Sequence, residues 1–422
     1  MHRRLALLGT IAGLLAGTAC GPKPVKPTGE QIAIFVTGAV PIKALPQVAA
    51  VVREARRSRP CLWLMIGAWQ ADKKWAAFTD GTAQVALFNA AGVDAVLVGS
   101  DWLRFGPAGL RQAADQARCY LIAANLADSS GTPLAHSFMV RKLGPVTIGI
   151  TGVYSDSTDV LLGQQGVRFN DPDFTIHKTI PLLRMRSNLV GVMIQPGAGT
   201  NDWAADFVIG AETGKGIAVL APARWDRIAR LDLELVGDKL VNFSVTEQDL
   251  AGVEPEPDVF RSVESTGQVV DSLSAVKVVE SRVALGPEVL TRALLHDFLA
   301  LRQVDCVLYD SLFSLDTLRP GIITQGQLVS ALRDPDRWAV FDMLGRDIKA
   351  GTQDQSRFGT LKVEWRRGAL KPRLLMHKSY RCAASISVLR RHPQLVVKGF
   401  ELSERPFFET AAELLRKAGD KR

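Results

Sequence analysis

The sequence predicts a layered α/β domain followed by a smaller α+β domain. Short apolar runs bounded by glycine alternate with segments of helical spacing through the first half of the chain. Such runs, joined by helices, are strands covered on both faces within a mostly parallel sheet. Two alternating segments, Ile228–Leu235 and Leu240–Val245 around Gly237-Asp238, close that half as a hairpin. Glu254-Pro-Glu-Pro-Asp258 then punctuates the chain. These marks divide it into a first domain over 32–253, a linker over 254–281 and a second domain over 282–422.

In chain order, Ile32–Val36 predicts the first strand, and Ala44–Arg57 a helix with basic residues on one side. Leu62–Ile66 is the second strand, Gln84–Ala91 a helix and Ala95–Val98 the third strand. Gly109–Ala117 is helical and Tyr120–Ala124 a strand. Val146–Ile150, Leu189–Ile194, Phe207–Ile209 and Ile217–Leu220 continue the series. Past the linker, Pro287–Leu301 is an amphipathic helix and Val304–Tyr309 a strand. Thr324–Leu332 is helical, with Thr324 as its N-cap. Val340–Met343, Leu361–Trp365 and Leu374–Leu375 read as strands, and Glu401–Lys417 as a terminal helix.

The first nineteen residues have the pattern of an export signal. His2-Arg3-Arg4 is a positive start, and Leu5–Ala16 is an apolar stretch too short to span a bilayer comfortably. Gly17-Thr18-Ala19 and then Cys20 resemble the lipobox of bacterial lipoproteins, with Gly17 where Leu is usual. Gly17-x-Ala19 also suits ordinary signal cleavage. Cys20 is taken as a lipid anchor, since several acyl chains hold a protein stably at a membrane. The Pro-rich stretch after it, with the rest of residues 20–31, forms the tether. This places the protein on a bacterial membrane, facing the periplasm or the exterior.

Hydrophobic residues make up 47% and charged residues 22%, which excludes disorder and suits globular domains. The formal charge is +8, but the cations are scattered and no run of them alternates with aromatics, so no nucleic-acid partner is expected. Solvated helix faces, or an affinity for anionic membrane, account for the charge. Cys61, Cys119, Cys306 and Cys382 form no C-x-x-C motif and read as buried thiols.

The strand ends carry the functional signal. Ile34-Phe-Val-Thr37-Gly-Ala39-Val-Pro41 ends the first strand, and Leu62-Trp-Leu-Met-Ile-Gly67-Ala68 the second. Asn89-Ala-Ala-Gly92-Val-Asp94-Ala95-Val-Leu-Val-Gly99 approaches Ser100-Asp101-Trp102-Leu-Arg104. Leu121-Ile-Ala-Ala-Asn125-Leu, Val146-Thr-Ile-Gly149-Ile-Thr-Gly152, Ile194-Gln195-Pro-Gly197 and Asp206-Phe-Val-Ile-Gly210 follow. This series resembles the bacterial 5′-nucleotidase and UDP-sugar hydrolase family of secreted metallophosphoesterases, over nearly the whole chain after the tether. The resemblance implies a four-layer αββα metallophosphoesterase-like domain, then a smaller α+β domain that binds the nucleoside. It also implies two cations about 3.5–4 Å apart that clamp phosphate and activate water.

Position by position, the ligands that the family would supply are replaced. Ala39 and Pro41 stand for the Asp and His of D-x-H, and Ala68 for the Asp of G-D. In G-N-H-E-F-D, Ser100 stands for the metal-binding Asn and Asp101 for the catalytic His, with Trp102 and Arg104 for the Glu and the last Asp. Gln195 replaces a His ligand, and in G-G-H-S-H both His give way, to Glu212 and Gly214. Asp310-Ser311-Leu312-Phe313 replaces the substrate-cradling glycine loop, and its bulk would block backbone approach to a ligand. None of the six histidines falls on a motif.

These substitutions imply no catalytic residue, no cofactor and no hydrolysis of nucleotides. The chain reads as a catalytically inactive, 5′-nucleotidase-like envelope lipoprotein that binds or assembles with a protein partner not identifiable from sequence. The alternative is a phosphoester hydrolase with a rebuilt, metal-poor site around Asp101, Glu212 and Asp310. In that case one divalent cation would be held weakly by Asp101 and Glu212. A cleft that lost its cations should also have lost its carboxylates and filled its space. Trp63, Trp69, Trp102 and Trp203 read as core residues, or as fillers of the vacated metal cleft or the lining of a new binding surface, and Trp69 or Trp102 is expected across the old metal site.

Overall fold

The structure, a computed structural model, describes residues 30–419 apart from 39, 67–72, 80, 104–105, 156–165, 196–202, 211–216, 223, 225, 311–315, 333–336, 354, 357–358, 367–373, 393–394 and 396–397. Cys20, Ala39, Ala68, Trp69, Arg104, Glu212, Gly214, Ser311, Leu312 and Phe313 lie outside the described residues.

Two sheets stack at the centre of the first domain. The larger contains β1 (Glu30–Thr37), β2 (Cys61–Met65), β3 (Ala95–Leu97), β4 (Tyr120–Ile122) and, later in the chain, β10 (Arg227–Val236) and β11 (Lys239–Asp249). Its order is β11-β10-β1-β2-β3-β4, with β1 to β4 parallel and the terminal hairpin antiparallel. The smaller contains β5 (Phe138–Leu143), β6 (Val146–Gly152), β7 (Leu189–Met193), β8 (Phe207–Ile209) and β9 (Ile217–Val219), in the order β9-β8-β7-β6-β5.

The period of two explains why these strands read as unbroken apolar runs. In β1, Ile32, Ile34 and Val36 enter the core between the sheets, while Ala33 and Phe35 enter the core beneath the helices. In β2, Leu62 and Leu64 face the second sheet, and Cys61, Trp63 and Met65 face the helices. The helices on that side are α1 (Leu45–Ser58), α2 (Lys73–Thr79), α3 (Thr82–Ala91), α4 (Ser100–Leu103) and α5 (Gly106–Gln116). On the far side, α6 (Pro172–Arg184) sets Ile176, Ile180 and Leu183 against Val190, Val192 and Val208. Asp171 caps α6 by accepting from the Phe174 N–H at 2.8 Å, and Pro172 opens it. The domain thus has the four layers αββα. Each large aliphatic side chain removed from water in these cores contributes about 1.5–3 kcal/mol before entropy.

The span 254–281, read from sequence as a linker, holds the 18-residue helix α7 (Pro257–Ser274) and then β12 (Lys277–Ser281). Its acidic, proline-rich start is pinned to α1: Arg53 Nη1 lies 2.6 Å from Asp258 Oδ1 and 3.0 Å from Glu256 Oε1, and the Glu256 N–H donates to the Pro46 carbonyl. Pro257 stands at the first helical turn, where its missing N–H is not needed.

The second domain contains α8 (Pro287–Arg302), β13 (Cys306–Tyr309), β14 (Gly321–Thr324), α9 (Gln325–Ala331), β15 (Arg337–Leu344), α10 (Gly345–Gln353), β16 (Lys362–Trp365), β17 (Ser379–Ser385), α11 (Ile386–Arg391), β18 (Lys398–Pro406) and α12 (Phe407–Gly419). Its five-stranded sheet runs β16-β13-β17-β15-β18. Thr324 caps α9, as the sequence predicts, and the cap is completed as a capping box by Gln327. Trp338 anchors the core, with its ring 4.4 Å from Phe298 and 4.7 Å from Phe407.

Two sequence expectations fail here. Leu374–Leu375 is not a strand, because the chain turns there before β17, and the Leu375 N–H donates to the Tyr380 hydroxyl. The terminal helix begins at Phe407 rather than Glu401, and Glu401 lies in β18. Pro406 explains the boundary, since a proline biases the residue before it away from helical angles. No helix among the described residues is long and apolar enough to cross a membrane.

Candidate functional site

Because β1 to β4 are parallel, their C-terminal ends open onto one face, where an α/β fold places its chemistry. The ends are held in register. The Ile66 N–H donates to Thr37 O at 2.8 Å, and the Ile194 N–H to Ile209 O at 2.9 Å. Gly210 joins the two sheets at this face. Its φ is +100°, and an added Cβ would lie 2.0 Å from the Ile194 carbonyl oxygen and 3.1 Å from Ile66 Cδ1. Only glycine fits that backbone and that approach.

The retained polar positions hold the scaffold. Asn125 is fully buried, and its amide clamps the end of β6: Nδ2 donates to Tyr154 O at 2.7 Å, and Oδ1 accepts from the Tyr154 N–H at 2.9 Å. Asp94 accepts from the Trp63 N–H at 2.8 Å and from Arg56 Nη2 at 2.6 Å. Asp206 accepts from the Val190 N–H and from Arg184 Nη1, each at 2.6 Å. Both carboxylates sit at the N-terminal ends of strands, away from the open face. These side chains serve a hydrogen-bonded frame.

At the cleft, Pro41 opens a short 3-10 turn over Ile42–Ala44, and its carbonyl accepts from the Ala44 N–H at 2.9 Å. Its side chain offers no ligand atom. Gln195, just past β7, accepts from the Ser155 hydroxyl at 3.1 Å through its neutral Oε1. Ser100 and Asp101 open α4 directly after β3. Among the described residues, no group of three His, Cys, Asp or Glu is placed to hold a metal ion. Pro41 offers no ligand atom and Gln195 only a neutral amide oxygen already engaged by Ser155, a poor fit to a two-cation centre that draws Asp, His and Asn from several strand ends.

The tryptophans serve the cores. Trp63 is fully buried and donates from Nε1 to Thr37 Oγ1 at 3.1 Å. Trp203 is buried on α6 and donates to Asp173 Oδ1 at 3.0 Å. Trp102 does not lie across the strand-end cleft, the place expected from sequence: it is buried in the core beneath the helices, its ring 6.4 Å from Phe88 of α3. Turning inward there removes more apolar surface from water than covering an open cleft would.

In the second domain, Asp310 follows β13, and its side chain is 1% exposed. Arg391 grips it through two bonds, Nε at 2.7 Å and Nη2 at 3.1 Å, and His392 Nε2 lies 3.3 Å away. Reading the sequence finds Asp310 but misses its partners. They lie 81 and 82 positions further on, and no local spacing signals the contact.

No protein-family model matches the chain, and no curated protein matches it. Solved structures do resemble it. A 5′-nucleotidase precursor from Thermus thermophilus is 16% identical with a TM-score of 0.59, over 92% of this chain and 97% of that one. A putative 5′-nucleotidase from Staphylococcus aureus is 12% identical with a TM-score of 0.62, over 93% and 97%. The NAD nucleotidase of Haemophilus influenzae is 11% identical with a TM-score of 0.56, also over 93% and 97%. Described strands, layers and these matches agree: the chain has the two-domain fold of the 5′-nucleotidases.

Proposed function

We propose that the protein is a non-catalytic binding or assembly protein of the bacterial cell envelope, exported and lipid-anchored at Cys20, built on a 5′-nucleotidase fold. One observation carries this reading. The residues that build the strand ends stand where this fold needs them, while the positions that would supply metal ligands hold Ala39, Pro41, Ala68, Ser100, Gln195 and Gly214. Losing the charges together is what loss of the cations demands, because carboxylates left facing each other without a cation repel at high cost. A protein partner finds support on β11. Its Phe243 and Val245 pair with Leu233 and Leu231, so they point to the inter-sheet side of the larger sheet, yet they are 49% and 43% exposed.

The test is an assay of the purified protein on AMP, a UDP-sugar and a phosphodiester, with Mn²⁺ or Zn²⁺. No turnover above the metal-only rate is expected. Turnover that chelation abolishes would sink the proposal and favour a rebuilt hydrolase around Asp101 and Glu212.

A further inference from the structure

The end of the sandwich opposite the strand-end cleft carries a basic recess of about 800 Å³. Arg56, Arg57, Arg59, Arg118, Arg141 and Lys142 line it, and Asp94 is its only lining carboxylate. Arg56 and Arg141 lean on Asp94, Arg59 on Asp232 and Arg57 on Glu54. Arg118 and Lys142 are exposed and make no ion pair among the described residues. Six cations thus face three partnered carboxylates, and the recess keeps a net positive charge.

The same end receives the N-terminal segment. Glu30 begins β1, and in the parallel register Ala33 is level with Cys61 at the start of β2. The turn between β5 and β6 lies beside it: a Cβ added at Gly144 would be 3.0 Å from Glu30 Oε2 and 3.7 Å from Pro60 Cγ. Residues 20–29, which include Lys23 and Lys26, precede Glu30. That length of chain reaches at most about 35 Å. A lipid on Cys20 would keep this end within that reach of the membrane.

We infer that this basic end is a docking face for the anionic phospholipid headgroups of the membrane that carries the chain. The inference takes its orientation from the reading of Cys20 as a lipid anchor. Its chemistry comes from the recess. Phosphate oxygens accept from guanidinium and ammonium groups at short range, and each cation brought near an anionic surface favours the bound state about fivefold. Docking in this sense points the strand-end cleft and the second domain away from the bilayer, where a soluble partner can reach them.

The test uses the full protein purified from bacterial membranes and mixed with vesicles of phosphatidylcholine, alone or containing phosphatidylglycerol. Flotation with the neutral vesicles reads the anchor. The rate of amine acylation at Lys142, with Lys277 of the second domain as internal reference, reads docking. The expected result is a slowing of Lys142 acylation by about fivefold or more on the phosphatidylglycerol vesicles only, lost at high salt and lost in Arg118→Glu. The salt arm needs no variant, so a misfolded Arg118→Glu protein does not blunt the test. Equal acylation on both vesicles overturns the inference even when the protein floats with both. The same slowing by soluble glycerol phosphate without vesicles also overturns it, in favour of a small-anion site. Slowing on phosphatidylglycerol without flotation on neutral vesicles upholds docking and removes the anchor.

Discussion

Asp310 is held as a structural residue. Its carboxylate is buried, and its two oxygens are held by the fork of Arg391, with His392 at 3.3 Å. A carboxylate so engaged is poorly placed to act on a substrate. Breaking a buried pair leaves an uncompensated charge, so Asp310→Ala should lower folding stability by about 3–5 kcal/mol. Chemical denaturation checks this, and a loss under about 1 kcal/mol, the range of an exposed pair, would contradict it. The cysteines give a second prediction. Burial pushes the Cys119 thiol up to about 12 and raises that of Cys61. Cys382 is raised by the Cys306 thiol beside it and by burial. In the unfolded chain a thiol ionises near about 8.5. Below that value both states keep the proton. Above it the unfolded chain releases a proton that the folded chain retains, so stability falls as pH rises from about 9 toward 12. At pH 8, Cys61, Cys119 and Cys382 should resist a thiol reagent until denaturant is added; rapid labelling of the native protein at any of them would refute the buried assignment.

Elements are legible where one physical constraint dominates. Strands β1 to β4 are covered on both faces, so each is a short apolar run that composition alone reveals. Strand β5 is not legible, because at the sheet edge Arg141 and Lys142 are exposed and break the apolar run. Helix α7 reads as a linker because Glu254-Pro-Glu-Pro-Asp258 looks extended, and because only Val259 and Val270 of its eighteen residues are buried apolar side chains. The strand ends that form the cleft are legible; the inward turn of Trp102 is not, since a tryptophan at a strand end suits core and cleft equally. The uncovered side of β11 is a further feature invisible in sequence, where Phe243 and Val245 look like core. Replacing both by Lys removes little buried surface, so folding stability should change by no more than about 0.5 kcal/mol per site. Thermal unfolding reads that directly. A much larger loss would mean that these side chains already have a partner within the fold.

The two domains share a spine. Helix α7 packs against α1, α2 and α3 of the first domain, and also against α9 of the second. Helix α2 also reaches α9, and Ala77 of α2 lies in the core of the second domain with Leu328 and Phe408. Val259 joins the core beneath the first-domain helices. The start of α7 is fixed by Arg53, whose hydrogen bond to Asp258 holds that carboxyl below its usual range. That contribution is present above the ordinary carboxylate pKa and fades as pH falls through the lowered one, and Asp258 is too exposed for it to exceed about 1 kcal/mol. Most of the coupling is therefore apolar and independent of pH near neutrality. Separate domains joined by a loose tether would unfold separately. Domains that bury a common helix should unfold together, because melting the first strips that helix of most of its neighbours and melting the second strips it of α9. Far-UV circular dichroism and tryptophan fluorescence should accordingly trace one coincident denaturant transition. Val259→Ala should shift both probes equally, by about 1–3 kcal/mol, the lower part of the range for emptied core sites. Two resolved transitions, with Val259→Ala moving only one, would show that α7 belongs to the first domain alone.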